Sequence, residues 1–246
     1  MPSCAIVIPA RMASSRFPGK PLVDLCGKPM VQWVVEAARA ANITDHIVVA
    51  TPDAEILEAC HKFGSKAVLT RDDHASGTDR LAEVAESLHA EVYVNLQGDE
   101  PLIDPKTISA CAKPLLDDPS IQMGGIYSPC SDDEFGSSSV VKVVLDRKGF
   151  ALYFSRYPIP FVVRERHAPA LRHIGIYAFR RETLLNFASW PPGALEKSES
   201  LEQLRFLENG VKIKMSLGAG SPVSVDLPEH ADQARRFLQQ LGTMSP

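Results

Sequence analysis

The sequence has no apolar run close to the roughly 20 residues that a bilayer-spanning helix needs. It also lacks a basic start followed by an apolar core and a small-residue cleavage site, because Pro9, Arg11 and Arg16 interrupt the only candidate stretch. Neither a membrane span nor a secretory signal is expected. We therefore expect a cytoplasmic protein.

Closely spaced cysteine pairs are absent too. Five cysteines are scattered along the chain without any CxxC spacing: Cys4, Cys26, Cys60, Cys111 and Cys130. An odd number without close pairs favours buried thiols in a reducing compartment over disulfide bonds or a zinc site.

An excess of positive charge is also lacking. The net charge is -4 and the pI is about 6.0, whereas a general nucleic-acid binder shows a basic stripe. The chain has 246 residues, of which 45% are hydrophobic, so it is long enough for one large α/β domain with or without a smaller lobe. We expect a small anionic ligand and no nucleic acid.

What the sequence does contain, near its start, is a basic loop directly after an apolar run. Residues 4–8 are all apolar, and Arg11, Arg16 and Lys20 follow them among serines and a glycine. A strand, a basic loop and a helix can present N–H groups, hydroxyls and positive charge to phosphate. The loop matches neither the Walker nor the GxGxxG motif. Each cation taken alone is expected only to be solvated, but together they predict an anion site.

Strand and helix patterns alternate through the first half of the chain. Continuous apolar runs predict buried strands at residues 4–8, 46–50, 67–69 and 91–96. Amphipathic stretches predict helices at residues 31–41, 53–63, 78–89 and 105–116. Repeated units of this kind predict a mainly parallel α/β sheet with helices on both faces. Ligands of such sheets bind beyond the carboxyl ends of the strands.

After Pro101 the pattern becomes mixed. Strands are predicted at residues 121–127, 140–145, 172–179 and 211–215. Helices are predicted at residues 199–209 and 229–241. No segment is long enough to serve as a linker between independent domains. We therefore predict a single domain that carries a smaller inserted β-rich lobe.

Two polar clusters follow elements of the first half. Asp99, directly after the fourth strand, is placed to hold a divalent ion; the alternative is a turn in which it makes local hydrogen bonds. Ser76 or Thr78 could cap the helix that follows them, and capping is the better explanation of Thr78 alone. Small residues at Ser76 and Gly77 would also let a planar base approach the backbone closely.

Polar residues of the second half have ordinary explanations as well as functional ones. Arg156 could pair with a surface acid, and a lone His173 is more often structural than catalytic. Glu199, Glu202 and Gln203 fall on one face of the predicted helix at 199–209. Such a face is usually just solvated.

Taken together, these segments resemble the 3-deoxy-manno-octulosonate cytidylyltransferases along nearly the full length of the chain. The resemblance is carried by IPARMASSRFPGKPL, HASGTDRLAEV, VNLQGDEP, VKVVLD, ALYFSR, RHIGIYAFR, LEQLR and VDLPE. Related acylneuraminate cytidylyltransferases have a glycine-rich RGGSK-type loop instead of this basic loop. The resemblance implies one Rossmann-like nucleotidyltransferase domain over 1–246, in which about 1–105 binds CTP, about 120–205 binds the sugar and dimerises, and about 206–246 closes the fold.

The resemblance further implies an enzyme that joins CTP to the 2-keto-3-deoxy sugar acid Kdo and releases pyrophosphate, for lipopolysaccharide synthesis. Mg²⁺ is the implied cofactor, and a homodimer is the implied assembly. By resemblance, the residues expected to bind CTP are Ala10, Arg11, Ser14, Arg16, Lys20, Ser76, Gly77 and Gln97. Those expected to hold Mg²⁺ are Asp99 and Asp226, which with Arg11 and Lys20 make up the expected catalytic set. Those expected to bind the sugar acid are Arg156, His173, Tyr177, Glu202 and Gln203. The resemblance leaves the general base unassigned.

The chain departs from the family pattern at two places. Leu227 stands where the family usually has threonine, beside Asp226, whose position alone suggests a helix N-cap. The connection between residues 160 and 171 is shorter than usual, near the sugar pocket and the dimer contact. Two other functions stay open: a synthetase for a modified ulosonate such as 8-amino-Kdo, and a non-catalytic nucleotide-sugar sensor. The presence of Lys20, Asp99 and Asp226 argues against the sensor.

Overall fold

One mixed sheet of nine strands and a separate two-stranded hairpin make up the β structure of residues 3–243, the part of the chain that this computed structural model describes. The strands are β1 (Cys4–Pro9), β2 (Asp24–Leu25), β3 (Lys28–Pro29), β4 (Ile47–Thr51), β5 (Lys66–Leu69), β6 (Val92–Asn95), β7 (Met123–Pro129), β8 (Lys142–Leu145), β9 (Ala151–Ser155), β10 (Leu171–Arg180) and β11 (Ile213–Leu217). The helices are α1 (Met30–Ala40), α2 (Ala54–Lys62), α3 (Gly77–Ser87), α4 (Pro105–Asp117), α5 (Asp132–Gly136), α6 (Arg181–Ser189), α7 (Ala194–Glu199), α8 (Gln203–Glu208) and α9 (Pro228–Thr243). A 3-10 turn spans Lys20–Leu22.

The order of the main sheet is β11-β7-β10-β6-β1-β4-β5. The strands β6, β1, β4 and β5 run parallel, and β11 is parallel to β7. The long strand β10 is antiparallel to both of its neighbours, β6 and β7. The predicted fold class, a mainly parallel mixed α/β sheet, is confirmed.

Alternate residues of β1 supply two apolar cores, one on each face of the sheet. Ile6 and Ile8 belong to a core that includes residues of α1, α2 and α4. Ala5 and Val7 belong to a second core that includes residues of α3, α6 and α8. Successive side chains of a strand point to opposite faces, so β1 is buried on both sides. A continuous apolar run is the pattern that such burial favours.

The β-rich extension consists of the hairpin β8–β9, which joins the main sheet where Lys142 pairs with Arg172 of β10. Sequence analysis predicted β8 and β10 but not β9, nor the helices α5, α6 and α7. These helices are short, between five and nine residues long, which leaves little periodicity to detect. Within residues 3–243, no helix is both long and apolar enough to cross a membrane.

Two local predictions are wrong. The expected helix over 199–209 is divided, because Ser200 takes a left-handed conformation with φ 53° and α8 begins only at Gln203. Glu199 therefore does not share a helix face with Glu202 and Gln203. The cap of α3 is Ser76 and not Thr78: Ser76 Oγ accepts from Asp79 N at 3.2 Å, and the Asp79 carboxylate accepts from Ser76 N at 3.1 Å.

Candidate active site

A cleft of about 300 Å³ opens where β1 and β6 end and α3 begins. All ten residues predicted to bind CTP or Mg²⁺ line it: Ala10, Arg11, Ser14, Arg16, Lys20, Ser76, Gly77, Gln97, Asp99 and Asp226. The carboxyl ends of parallel strands are where ligands of open α/β sheets bind. The structure therefore brings the predicted nucleotide and metal residues together, although their roles remain predictions.

The basic loop is held in place by hydrogen bonds that its backbone N–H groups donate. Met12 N donates to Asp53 Oδ2 at 2.7 Å, and Gly19 N donates to Met12 O at 2.9 Å, which closes the loop. Gly19 has φ 75°, a left-handed conformation that glycine adopts without a steric penalty. Phe17 N donates to Ser14 Oγ at 3.3 Å. Hydrogen bonds within the loop and one to Asp53 thus shape it, while its basic side chains line the cleft.

Lys20 contacts both Asp99 and Asp226, which lie 127 positions apart in the sequence. Its Nζ lies 2.7 Å from Asp99 Oδ2 and 3.3 Å from Asp226 Oδ1. Arg16 Nη2 also contacts Asp226 Oδ1, at 3.0 Å. The N-cap role suggested for Asp226 is wrong, because its carboxylate is turned to these cations and α9 starts only at Pro228. One cation can therefore reach both carboxylates.

A third carboxyl group lies behind this pair. Burial, reinforced by the charges of Asp99 and Asp226, raises the pKa of Glu100 to about 7. Glu100 thus responds to the charge of the two carboxylates that Lys20 contacts. A cation bound there would lower the pKa of Glu100.

Small residues bring three backbone segments together at the wall of the cleft. A Cβ atom on Gly98 would lie 2.8 Å from Pro9 O, and one on Gly77 would lie 3.1 Å from Pro9 Cγ. The Gly98 contact excludes a side chain unless the backbone shifts, and a side chain at Gly77 would have to displace the Pro9 ring by a few tenths of an ångström. The wall is consequently made of main chain, which a flat ring can approach closely.

Sequence analysis missed two basic residues that also line the cleft, His74 and Arg80. Arg80 is only 3% exposed, and its Nη1 donates to Arg71 O at 2.8 Å. Burial, together with the charge of Arg11, lowers the pKa of Arg80. His74 Nε2 is bonded to the Glu83 carboxylate. Both residues lie within the HASGTDR motif, at its first and last positions. Nothing in the local sequence distinguishes them from ordinary polar residues, so their place in the cleft could not be predicted.

The predicted sugar residue Arg156 is held firmly at the end of β9. Its guanidinium donates to three backbone carbonyls, those of Glu199 at 2.9 Å, Ser138 at 3.3 Å and Ser200 at 3.4 Å. Its backbone N donates to Glu199 Oε2 at 2.9 Å, and Lys142 Nζ donates to its carbonyl. A guanidinium has five N–H groups, so two remain for a ligand.

Three buried polar side-chain atoms have no hydrogen-bond partner among the described residues: Glu100 Oε2, His173 Nε2 and Gln203 Nε2. Buried polar atoms are nearly always bonded in native proteins, so each exception needs an explanation. Two of the three belong to residues predicted to bind the sugar acid. The His173 ring also stacks on that of Tyr177, with 5.2 Å between centroids. Polar groups of a ligand could supply the missing hydrogen-bond partners of these atoms.

None of the five predicted sugar residues lines the cleft described above. Glu202 adjoins it, because its Oε1 accepts a hydrogen bond from Thr78 near the start of α3. Glu199 has a different role, since its carboxylate accepts from Ser155 Oγ at 2.6 Å and from the backbone of Arg156. The predicted sugar side is thus a neighbouring region, joined to the cleft through α3.

The half-buried His173, whose Nε2 is enclosed, should make the protein sensitive to acid. Burial lowers the pKa of His173 from 6.5 to about 3. Between these values the unfolded chain takes up a proton that the folded protein does not, so stability falls as the pH drops below about 6.5. His173→Phe keeps an aromatic ring but has no group to protonate. Between pH 7 and pH 4, we expect its free energy of unfolding to fall by roughly 3 kcal/mol less than that of the wild type. Urea unfolding at both pH values measures this difference, with exposed His167→Gln as the control. Equal losses in His173→Phe and wild type would contradict it.

Comparison with known proteins assigns the chain to a class. The family model described as cytidylyltransferase matches residues 5–213, which is most of the chain. The chain is therefore a cytidylyltransferase, a class of nucleotidyltransferase, as the basic cleft and its paired carboxylates suggest.

Relatives along the full length narrow the class. A 3-deoxy-manno-octulosonate cytidylyltransferase of Syntrophotalea carbinolica is 47% identical over 97% of this chain and 100% of its own. One of Pelobacter propionicus is 48% identical over 96% of this chain and 97% of its own. The solved structure of a CMP:2-keto-3-deoxy-manno-octonic acid synthetase complexed with CTP is 43% identical, with a TM-score of 0.94 over 97% of this chain and 99% of that one. The chain belongs to the 3-deoxy-manno-octulosonate cytidylyltransferase family.

Proposed function

We propose that this protein transfers the cytidylyl group of CTP to the C2 hydroxyl of 3-deoxy-D-manno-octulosonate (Kdo), forming CMP-Kdo and pyrophosphate. The observation that carries the proposal is the cleft, which is lined by three cations of one loop, two of them in contact with carboxylates from distant parts of the chain. Membership of the family supplies the substrate. The product would serve lipopolysaccharide synthesis in the cytoplasm.

The cleft offers the groups that phosphoryl transfer needs. Such transfers depend mainly on positioning and on neutralising charge, without a covalent protein intermediate. Arg11, Arg16 and Lys20 would hold the triphosphate, and they would stabilise the charge that develops on the departing pyrophosphate. The main-chain wall at Gly77 and Gly98 would receive the cytosine.

The reaction forms one bond and breaks one. The oxygen of the C2 hydroxyl attacks the α-phosphorus of CTP, and the bond from this phosphorus to the bridging oxygen of the β-phosphate breaks. The proton of the hydroxyl is released to solvent as the new bond forms, and the electron pair of the broken bond goes to pyrophosphate. Loop cations placed on the β- and γ-phosphates would favour this direction of charge flow.

We propose Mg²⁺ as the cofactor, held by Asp99 and Asp226. Both carboxylates already contact one cation, Lys20 Nζ, which supports their role in holding a cation. Mg²⁺ is commonly bound through one or two carboxylates with phosphate oxygens and waters completing its shell. When bound, the ion would neutralise phosphate charge and lower the pKa of a coordinated hydroxyl.

The sugar acid would bind on the neighbouring side, among Arg156, His173, Tyr177, Glu202 and Gln203. The unpaired nitrogens of His173 and Gln203 support this assignment, because a polyhydroxylated ligand has both donors and acceptors to satisfy them. The free N–H groups of Arg156 suit its carboxylate, since planar pairs of this kind are strong.

A homodimer is part of the proposal. Tyr157, Phe161 and Val163 lie in the connection that follows β9 and are 70%, 77% and 81% exposed. Large apolar side chains clustered on a surface mark interaction sites. Sedimentation equilibrium of the purified protein would show twice the chain mass if this face joins two copies, and a monomer at micromolar concentration would contradict it.

The function is tested by release of pyrophosphate from CTP and Mg²⁺ with Kdo or 8-amino-Kdo as acceptor. We expect release with Kdo, and a higher kcat/KM for Kdo than for 8-amino-Kdo. A higher kcat/KM for 8-amino-Kdo would show that the reaction is as proposed but that the acceptor is the amino sugar. No release with either acceptor would contradict the transferase.

Replacing Arg156 should affect the sugar acid far more than the nucleotide. We expect Arg156→Ala to raise the KM for Kdo by about 10- to 100-fold, the effect of losing a charge-assisted pair, with a much smaller change in the KM for CTP. The exposed arginine variant Arg147→Ala is the control. Thermal unfolding checks that loss of the contacts to Glu199 and Ser200 leaves the protein folded. An equal rise in both KM values would place Arg156 outside the sugar site.

A further inference from the structure

A chain of three hydrogen bonds connects the cleft with the predicted sugar side. Gln97 Nε2 donates to Asn95 Oδ1 at 3.2 Å, and Asn95 Nδ2 donates to Thr78 Oγ1 at 3.2 Å. The Thr78 hydroxyl donates in turn to Glu202 Oε1. Gln97 at one end lines the cleft, and Glu202 at the other belongs to the predicted sugar residues. The two inner members have no role assigned above.

The fold places these four residues together from three separate segments. Asn95 is the last residue of β6, and Gln97 follows two positions later, so their side chains point to the same side. Thr78 lies in the first turn of α3, and Glu202 directly precedes α8. Across the sheet, Asn95 is paired with Tyr177 of β10, another predicted sugar residue.

The direction of the chain of hydrogen bonds follows from its donors. The Asn95 amide nitrogen can only donate, and Thr78 has a single hydroxyl hydrogen, which it donates to Glu202. Thr78 Oγ1 must then accept from Asn95, whose amide nitrogen is thereby turned toward it. The Asn95 oxygen must accept from Gln97, so Gln97 uses its nitrogen. Gln97 Oε1 is the acceptor that this chain of hydrogen bonds does not use.

A purely structural role explains this arrangement less well. Asn95 and Thr78 are each 1% exposed, and their neighbours along the chain, Tyr93 and Leu81, belong to an apolar core. Buried polar networks are unfavourable unless every member is satisfied, and apolar residues of similar size would fill the same space. The two inner residues satisfy each other, yet both ends of the chain stop at side chains that face the proposed substrates.

We propose that Asn95 and Thr78 are positioning residues, which hold Gln97 and Glu202 so that both present acceptor oxygens to hydrogen-bond donors of the substrates. The donors available are the exocyclic amine of cytosine and the hydroxyls of the sugar acid. The inference rests on the proposed function. It adds that two buried residues, Asn95 and Thr78, determine which atoms of Gln97 and Glu202 are available to accept hydrogen bonds from the substrates.

Two substitutions at Thr78 separate hydrogen bonding from packing. Thr78→Val keeps the shape but removes the hydroxyl, and we expect the KM of at least one substrate to rise by about tenfold or more, with a smaller change in kcat. Thr78→Ser keeps the hydroxyl, and we expect it to restore the KM values. Thermal unfolding monitors whether each variant folds.

Asn95→Asp tests the direction of the chain. An aspartate would accept from both Gln97 and Thr78, so Glu202 would lose its donor while Gln97 kept its partner. We expect the KM for Kdo to rise while the KM for CTP is largely retained. This variant also preserves the test if Thr78→Val fails to fold.

Nucleotide preference shows which donor Gln97 Oε1 meets. Uracil carries a carbonyl oxygen where cytosine carries its amine, so a contact to the amine predicts a smaller preference for CTP over UTP in Thr78→Val. A preserved preference with a raised KM for Kdo would place the contact on a sugar hydroxyl. Unchanged KM values in folded Thr78→Val and Asn95→Asp would overturn the proposal. Wild-type turnover separately tests the function, and calorimetric titration with CTP and UTP tests the positioning role where turnover is absent.

Discussion

Asp99→Asn is expected to lower kcat for pyrophosphate release by about 100- to 1,000-fold, the effect of removing one electrostatic group from a reaction site. Asp99 supplies one of the two carboxylates that contact Lys20 Nζ, at 2.7 Å. An amide has the same shape but no charge, so it would hold Mg²⁺ poorly and would no longer balance the ammonium. Steady-state assays at saturating CTP, Kdo and Mg²⁺ measure the loss.

The Asp99 variant should remain folded. Its side chain is 26% exposed in the ion pair, and pairs near the surface contribute little to stability. Asp117→Asn is the matched control, because this acid pairs with Lys113 on the surface, where it is 60% exposed. Near-normal turnover of folded Asp99→Asn with Mg²⁺ would show that the metal assignment is wrong.

The parts of the fold that could be predicted are those in which the pattern of neighbouring residues alone determines the secondary structure and its burial. The unbroken apolar run of β1 reflects burial on both faces. Asp99 could be placed at the cleft because it follows a strand in a repeated strand–helix pattern, and the carboxyl ends of parallel strands meet at one edge. The structure places both where the pattern predicted.

The parts that could not be predicted depend on contacts between distant residues. Ser200 adopts a left-handed φ inside a sequence that reads as one helix, and nothing in its neighbours requires it. Arg80 has the position of an ordinary helical residue, yet tertiary packing buries it at the cleft. Thr78 was predicted as a cap because local rules cannot show that Glu202, 124 positions away, accepts from its hydroxyl.

Lys20→Met is expected to lower kcat/KM by about 100- to 1,000-fold, and the reason is its double role. Its ammonium is proposed to neutralise the triphosphate, and it also separates two carboxylates that it contacts at 2.7 Å and 3.3 Å. Methionine keeps much of the length of the side chain but offers neither charge nor donors. Lys28→Met is the matched control, because Lys28 pairs with Glu36 at 2.7 Å and lies outside the cleft.

The same variant distinguishes a metal site from a simple ion pair without any measurement of activity. In Lys20→Met the carboxylates of Asp99 and Asp226 no longer share an ammonium, so a metal ion would not have to compete with it. A ligand that binds only the folded state raises its melting temperature, and a tighter ligand raises it more at the same concentration. We therefore expect Mg²⁺ alone to raise the melting temperature of Lys20→Met more than that of Lys28→Met or the wild type. An equal shift in all three proteins would show that these two carboxylates do not hold the ion, and Lys20 would then be their permanent partner.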